Sequence, residues 1–391
     1  MDKVSRRLGD FITGCVSLLC TTASAADQQH LLQETQLVLT EQRVQINNQG
    51  EHLRLPVEDR NKAPTTSVYS VYGQVSFMAL HVDDGSVTVN QFGTNSIENN
   101  RLGISTSLKQ QNSLTVGSRL QLGFSHGATK DVVIRQAEIY LDFAALGKLT
   151  FGQGETASDG VAHMDLSEME LAGRPNGIGG FANRYHFNSN SNLPKVGDAV
   201  SELNGLYRKA RIRYDSGNLD GFTISASATA NDQDIALRTN HSLGDIRLST
   251  ALAITSKQAI GSSVYGGEEA SGKVVSGSMS LLSNGLVLTA AAGRLLADES
   301  LRKSPNYYFL KPTYRFNFFD AGFTGFSASY GRYSSFMQND DVAVSRGIQV
   351  VQQLKSLNLK AYAGYSDVKL KRAGENFDEI NAIFTGIFYK F

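Results

Sequence analysis

The dominant feature of the sequence is an alternation of apolar and polar residues that begins near Val68 and continues to the C-terminus. In one segment Leu120 and Leu122 alternate with Arg119 and Gln121. Successive side chains of a β-strand point to opposite faces, so a period of two predicts strands with one apolar and one polar face. The same pattern, with Gly, Asn, Asp and Ser between the runs, recurs at 101–108, 222–228, 246–254 and 357–363.

A soluble β-sandwich and a transmembrane β-barrel both alternate in this way, so the polar face has to distinguish them. Here that face holds Gly, Ser, Thr, Gln and Arg, and the runs approach ten residues, which suits strands with lipid outside and water inside. Residues 68–391 allow about 16 strands at roughly 20 residues per strand and connection, a size whose lumen stays open to water. The sequence therefore predicts an all-β fold, a transmembrane antiparallel β-barrel of about 16 strands without a free sheet edge.

The composition is compatible with this fold. Hydrophobic residues make up 41% of the chain, Trp is absent and the formal net charge is zero. The mean hydropathy of −0.21 looks soluble, but barrels give such values because only alternate residues face lipid. No stretch reaches the roughly 18 consecutive apolar residues of a membrane helix. The charge balance predicts no nucleic-acid partner.

The N-terminus predicts export. Lys3, Arg6 and Arg7 precede a short apolar core, and Ala23-Ser24-Ala25 supplies the small residues that a signal peptidase accepts. Residues 1–25 are therefore predicted to be a cleaved signal peptide. The two cysteines, Cys15 and Cys20, lie within it, so the mature chain is predicted to have no disulfide and no thiolate metal site.

Residues 26–60 differ from the rest of the chain because they lack aromatic residues and are rich in Gln, Glu and Leu. Leu32, Leu39, Ile46 and Leu53 recur every seven residues, which is typical of a coiled coil. The segment is interpreted as a short helical coiled coil in the periplasm, with a solvated amphipathic helix, a disordered tail or a tether to periplasmic components as alternatives. Residues 61–67 are interpreted as a polar linker to the barrel at 68–391.

A long segment, residues 156–206, interrupts the alternation and is predicted to be a constriction loop that folds into the lumen. Loops of this length are uncommon unless they are functional. By parity Gly152 and Gly154 point inward just before the loop, leaving room for it to fold back. The loop carries four acidic residues that are expected to line the narrowing: Asp159, Asp165, Glu168 and Glu170.

The same alternation predicts that six charged residues of the barrel wall point into the lumen: Arg101, Arg119, Glu138, Asp142, Arg211 and Arg213. Acids on the loop facing arginines on the wall would create a transverse field that orients polar solutes. The alternative interpretation is that these are solvated charges without a special arrangement.

Two segments resemble a known family. The hairpin formed by 135–143 and 147–154 is similar to the one before the constriction loop in Gram-negative trimeric outer-membrane porins. The last nine residues, 383–391, end with Tyr389 and Phe391 on one face, and a final strand of this kind resembles the insertion signal of outer-membrane barrels. An N-terminal coil before the barrel is similar to the DcaP-like branch.

The resemblance implies a passive diffusion channel for small hydrophilic solutes, with anions such as dicarboxylates favoured. It also implies a homotrimer in outer-membrane lipid, inserted by the barrel-assembly machinery. Catalytic chemistry is not predicted: the seven histidines are scattered and no nucleotide-binding or nucleophile motif is present. No catalytic residue, metal or cofactor is therefore expected. The alternative is an outer-membrane enzyme, a phospholipase or a protease, on a smaller barrel.

Overall fold

The computed structural model describes residues 66–109, 114–124, 132–171, 173–189, 193–260, 270–297 and 303–391. The predicted signal peptide, coiled coil and most of the linker lie outside these residues. No helix of the described ranges is long and apolar enough to cross a membrane.

The described chain is mainly β-structure. Its strands are β1 (Thr66–Asp83), β2 (Thr88–Gly93), β3 (Asn100–Lys109), β4 (Thr115–Phe124), β5 (Val132–Asp142), β6 (Lys148–Glu155), β7 (Arg208–Asp215), β8 (Phe222–Ala228), β9 (Gln233–Leu243), β10 (Ile246–Ile260), β11 (Ala270–Ser283), β12 (Leu286–Ala297), β13 (Asn306–Phe319), β14 (Gly322–Ser334), β15 (Val342–Leu354), β16 (Leu359–Lys371) and β17 (Ile380–Lys390). Its helices are short: α1 (Gly179–Ala182), α2 (Val196–Ala199), and the 3-10 turns Ala144–Leu146, Val161–His163, Phe187–Ser189 and Lys355–Leu357.

The strands form one closed antiparallel sheet, which confirms the predicted barrel. β1 pairs with β17 on one side and with both β2 and β3 on the other, so β2 and β3 share one position around the wall. The barrel therefore has 16 strand positions, as predicted.

Closure occurs at the chain's last residue. The Gly73 amide donates to the Phe391 carbonyl at 2.9 Å, and the Phe391 amide donates back at 3.0 Å. This pair lies at the end of the barrel that carries the short turns, because the Lys390 amide bonds the Asn358 carbonyl of the turn 355–358. Short turns of outer-membrane barrels lie on the periplasmic side.

Alternation separates the two faces. Large apolar side chains such as Ile212, Leu252 and Ile348 are exposed on the outside, where lipid covers such residues. Ser276, Ser278 and Ser280 of β11 point inward and are buried, and the last two bind the long connection between β6 and β7. This connection, residues 156–207, is called the inward loop below.

The expectation of a polar lumen face is wrong for one part of the wall. On β12–β17 several inward side chains are apolar, among them Leu295, Phe309, Ile380 and Phe384. They pack against the inward loop in one hydrophobic cluster, so they are hidden from water rather than lining the channel.

Candidate functional site

The first part of the inward loop follows the inner face of the wall from β8 to β11. The Ala157 amide donates to Ser227 Oγ of β8 at 2.9 Å. The Met164 and Leu166 amides donate to Ser278 and Ser280 of β11, each at 2.9 Å. Inward hydroxyls at alternate positions of a strand therefore satisfy loop backbone groups that would otherwise be buried without partners.

The loop then crosses to β13, where lysine and arginine bind its acids. Lys311 Nζ forms an ion pair with Asp165 and donates to the Gly173 carbonyl at 3.0 Å. Arg315 pairs with Glu168 at 3.0 Å. Lys311 is fully buried, so its charge depends on these partners, since an unpaired buried charge is strongly unfavourable.

The second part of the loop packs through apolar side chains. Ile178, Phe181 and Phe187 of the loop are buried in the cluster that includes the inward residues of β12–β17. The Phe181 and Phe384 rings lie 4.7 Å apart. Burial of each large apolar side chain stabilises a protein by roughly 1.5–3 kcal/mol, so this part is fixed to the wall rather than suspended in the lumen.

The base of the loop holds Arg211 and Arg213, two of the predicted pore residues. Arg211 pairs with Glu138 at 2.7 Å, and both side chains are 3% exposed. Arg211 also donates to the Glu155 and Gly152 carbonyls, each at 2.9 Å. Arg213 pairs with Asp215 at 2.7 Å and donates to the Thr156 carbonyl at 2.8 Å. Both arginines thus hold the backbone where β6 becomes the loop.

Arg101 and Arg119 lie on the wall beside this base. Arg119 is 36% exposed and pairs at 3.0 Å with the Glu138 oxygen that Arg211 does not use. Arg101 is 20% exposed and pairs with Glu98 at 2.6 Å. These two guanidinium groups are the more accessible of the four predicted wall arginines.

Asp142 and Glu170 lie away from the predicted wall arginines. Asp142 ends β5, where its side chain accepts a bond from the Ala144 amide at 2.9 Å in the turn to β6. Glu170 lines a small cavity of about 200 Å³ together with His163 and Arg174. Neither residue contacts the predicted wall arginines.

Asp159 lies near the start of the loop. It accepts a bond from Asn204 Nδ2 at 2.9 Å, and its other oxygen is 3.9 Å from Arg208. Burial raises the pKa of Asp159, and the nearby Arg208 acts in the opposite direction. Asn204 also accepts from the Gly160 amide at 3.0 Å, so it joins the outgoing and returning parts of the loop.

Within the described ranges, the four predicted loop acids do not pair with the four predicted wall arginines, although Asp159 lies 3.9 Å from another wall arginine, Arg208. In the described part of the chain, no ion pair joins Asp159, Asp165, Glu168 or Glu170 to Arg101, Arg119, Arg211 or Arg213. Asp165 pairs with Lys311, and Glu168 pairs with Arg315 and lies 3.9 Å from Lys360 of β16. The four predicted wall arginines pair instead with Glu98, Glu138 and Asp215.

Sequence reasoning missed Arg135. A register shift in the pairing of β4 with β5 lies between Gln121 and Leu122. Arg135 Nε donates to the inward Gln121 at 2.9 Å, while the next residue, Gln136, accepts a longer bond from Tyr72. Two consecutive residues thus bond to inward groups, which simple parity cannot predict because a bulge breaks the alternation.

Lys311, also missed, could have been found from the pattern. It continues the inward series Tyr307 and Phe309 on β13, so parity places it inside. No group of three or more His, Cys, Asp or Glu residues suited to a metal ion occurs in the ranges that the structure describes.

The sequence matches the family model described as Gram-negative porin over residues 18–373. No curated protein matches it. The fold is similar to that of an anion-selective porin from Comamonas acidovorans, with 16% identity, 83% of this chain and 100% of that chain covered, and a TM-score of 0.60.

Two further solved structures are similar over 83% of this chain, each with a TM-score of 0.54. One is OmpT of Vibrio cholerae in its trimer form, 15% identical and 99% covered. The other is the outer-membrane channel DcaP of Acinetobacter baumannii, 12% identical and 97% covered. At these identities the similarity concerns the fold.

Proposed function

The chain belongs to the Gram-negative porin family and is an outer-membrane channel, and from this premise we propose that its pore favours small anions, dicarboxylates in particular. The channel is passive: solutes cross hydrated, with no covalent step. The inward loop restricts one side of the lumen, and the path follows the wall formed by β3, β4, β5 and β7.

The observation that supports this proposal is an excess of guanidinium groups on that wall. Arg101 and Arg135 interact electrostatically with each other and with Arg208. Arg174 of the inward loop belongs to the same group, in which four guanidinium groups face three carboxylates, those of Glu98, Glu155 and Asp159. Like charges held close together on a low-dielectric wall produce a field that concentrates anions, and arginines suit carboxylates through paired hydrogen bonds.

The experiment is single-channel recording in planar bilayers with a salt gradient. The wild type should show a reversal potential whose sign indicates anion selectivity. The double variant Arg101→Gln/Arg135→Gln should shift the anion-to-cation permeability ratio roughly fivefold towards cations at low salt. The matched control is Lys355→Gln, which removes a positive charge from an exposed side chain of the turn 355–358 and should leave the ratio unchanged. A double variant with the wild-type reversal potential would contradict the anion pathway.

The assembly we propose is a homotrimer in outer-membrane lipid, inserted by the barrel-assembly machinery, with residues 26–60 in the periplasm as a trimeric coiled coil. Support comes from the trimer form of the similar Vibrio cholerae protein and from the seven-residue spacing of Leu32, Leu39 and Ile46. Light scattering of the purified protein should give three copies. A peptide of residues 26–60 that is monomeric and unstructured at high concentration would contradict the coiled coil and leave the disordered tail as its alternative.

We also propose that the protein is not an enzyme, as its family membership suggests. Purified protein incubated with phospholipid vesicles or a peptide mixture should release no fatty acid and cleave no peptide. Turnover in either assay, removed by heat denaturation, would contradict this.

A further inference from the structure

The barrel position next to β1 is filled by two short strands, β2 and β3, instead of one continuous strand. β2 and β3 both pair with β1, and residues 94–99 separate them. This break was not predicted from the sequence. The segment 94–99 is called the finger below, because its contacts are with residues inside the barrel.

Asn95 carries the main contact between the finger and the inward loop. Its side chain is fully buried, and Nδ2 donates to the Leu171 carbonyl at 2.9 Å and to the Tyr362 hydroxyl at 2.8 Å. Its own oxygen accepts from the Ile97 amide at 2.9 Å, which fixes the turn of the finger. Ser96 adds a hydrogen bond to the Gly180 carbonyl.

Glu98 lies at the base of the finger between two arginines. One carboxylate oxygen pairs with Arg101 of the wall at 2.6 Å and accepts from Gln74 at 3.0 Å. The other pairs with Arg174 of the inward loop. Burial alone would raise the pKa of Glu98, but Arg174 and Arg101 outweigh burial and hold the pKa below its ordinary value, so the group is a carboxylate at neutral pH.

We propose that the finger positions the inward loop and that Glu98 is a specificity-determining residue, whose one negative charge limits the anion preference of the pore. This inference rests on the proposed channel function and deepens it. The guanidinium groups of Arg101 and Arg174 share the Glu98 carboxylate, so the three side chains together carry one positive charge. Without the charge of Glu98 they would carry two.

The decisive variant is Glu98→Gln, which keeps the shape and can still accept a bond from Arg174. The permeability ratio should shift roughly two- to threefold towards anions at low salt, as expected for one screened charge several ångströms from the ion. Glu98→Asp keeps the charge and should retain a reversal potential close to that of the wild type. Asp245→Asn removes the same charge from the exposed turn 244–245 and should change nothing.

Asn95→Ala tests the positioning role without changing charge. It removes both donors to Leu171 and Tyr362, so the open-channel current should become noisier at an unchanged reversal potential. Heat-modifiable migration on gels shows that each variant has folded.

A Glu98→Gln channel with the wild-type reversal potential, or an equal shift in Asp245→Asn, would overturn the specificity role. Wild-type current noise in Asn95→Ala would overturn the positioning role. Failure of the proposed function is distinguishable, because the wild type itself would then form no channel or show no anion preference.

Discussion

Arg211 and Glu138 form a 2.7 Å ion pair in which each side chain is only 3% exposed. The pair joins β7 to β5 across the glycine end of β6, where a Cβ on Gly154 would lie 2.3 Å from the Glu138 carboxylate. Parity placed both residues inside the barrel, but Arg211 is enclosed there by the Glu138 carboxylate and by the Gly152 and Glu155 carbonyls of β6. We therefore expect Arg211 to stabilise the loop base rather than to meet solutes.

Arg211→Gln should destabilise the barrel. Removal of one partner leaves the Glu138 carboxylate buried with less compensation, which costs about 3–5 kcal/mol for a buried pair. The measurement is the midpoint of urea unfolding of the refolded protein, followed by far-UV circular dichroism and by gel migration.

Arg119→Gln is the matched control for that variant. Arg119 bonds the same Glu138 but is 36% exposed, so its loss should cost about 1 kcal/mol or less. Equal destabilisation by the two variants would show that burial does not distinguish these arginines.

The Lys311–Asp165 pair should show strong coupling in a double-mutant cycle. Lys311→Met and Asp165→Leu should each destabilise by about 3–5 kcal/mol, because each leaves an opposite charge buried. The double variant should be more stable than either single one, since no unpaired charge remains. Thermal unfolding of all four proteins measures the coupling, and additive losses would contradict it.

Deletion of Phe391 should lower insertion into the outer membrane. Its backbone makes both hydrogen bonds to Gly73 at the closing seam, and its exposed ring stacks on Tyr389 with centroids 5.9 Å apart. The measurement is the amount of heat-modifiable protein in isolated outer membranes. Phe391→Tyr keeps the backbone and the ring and should insert normally, whereas normal insertion after the deletion would argue against a terminal signal.

The contact between His163 and Glu202 should make the inward loop sensitive to acid. The two side chains are 2.9 Å apart. Burial alone would raise the pKa of Glu202, but the nearby His163 lowers it below the ordinary value of 4.5. A lowered carboxyl pKa means that the stabilisation is fully present above the ordinary value and is lost as the pH falls through the lowered one.

Open-channel noise should therefore stay low from neutral pH to about pH 5 and rise below the ordinary carboxyl range. Glu202→Gln should remove this rise of noise at low pH. Glu375 lies in the connection between β16 and β17, and Glu375→Gln should retain the rise. An unchanged rise in Glu202→Gln would assign the sensitivity to other groups.

The sequence by itself determined the barrel. Alternation at positions such as Leu120 and Arg119 sets which face of each strand meets lipid, and this depends only on the geometry of one strand. The number of strands followed from chain length, and the inward course of the long loop from its length and from the glycines before it.

Only the tertiary structure decided which charges meet. Alternation predicts that Arg119 and Arg211 both point inward, but their exposure differs because Glu138 and the Gly152 and Glu155 carbonyls enclose Arg211, and these contacts join residues far apart in the chain. Arg135 and Glu98 escaped prediction for a related reason. A bulge and a strand break interrupt the period of two on which parity relies, and they are stabilised by partners on other strands and on the inward loop.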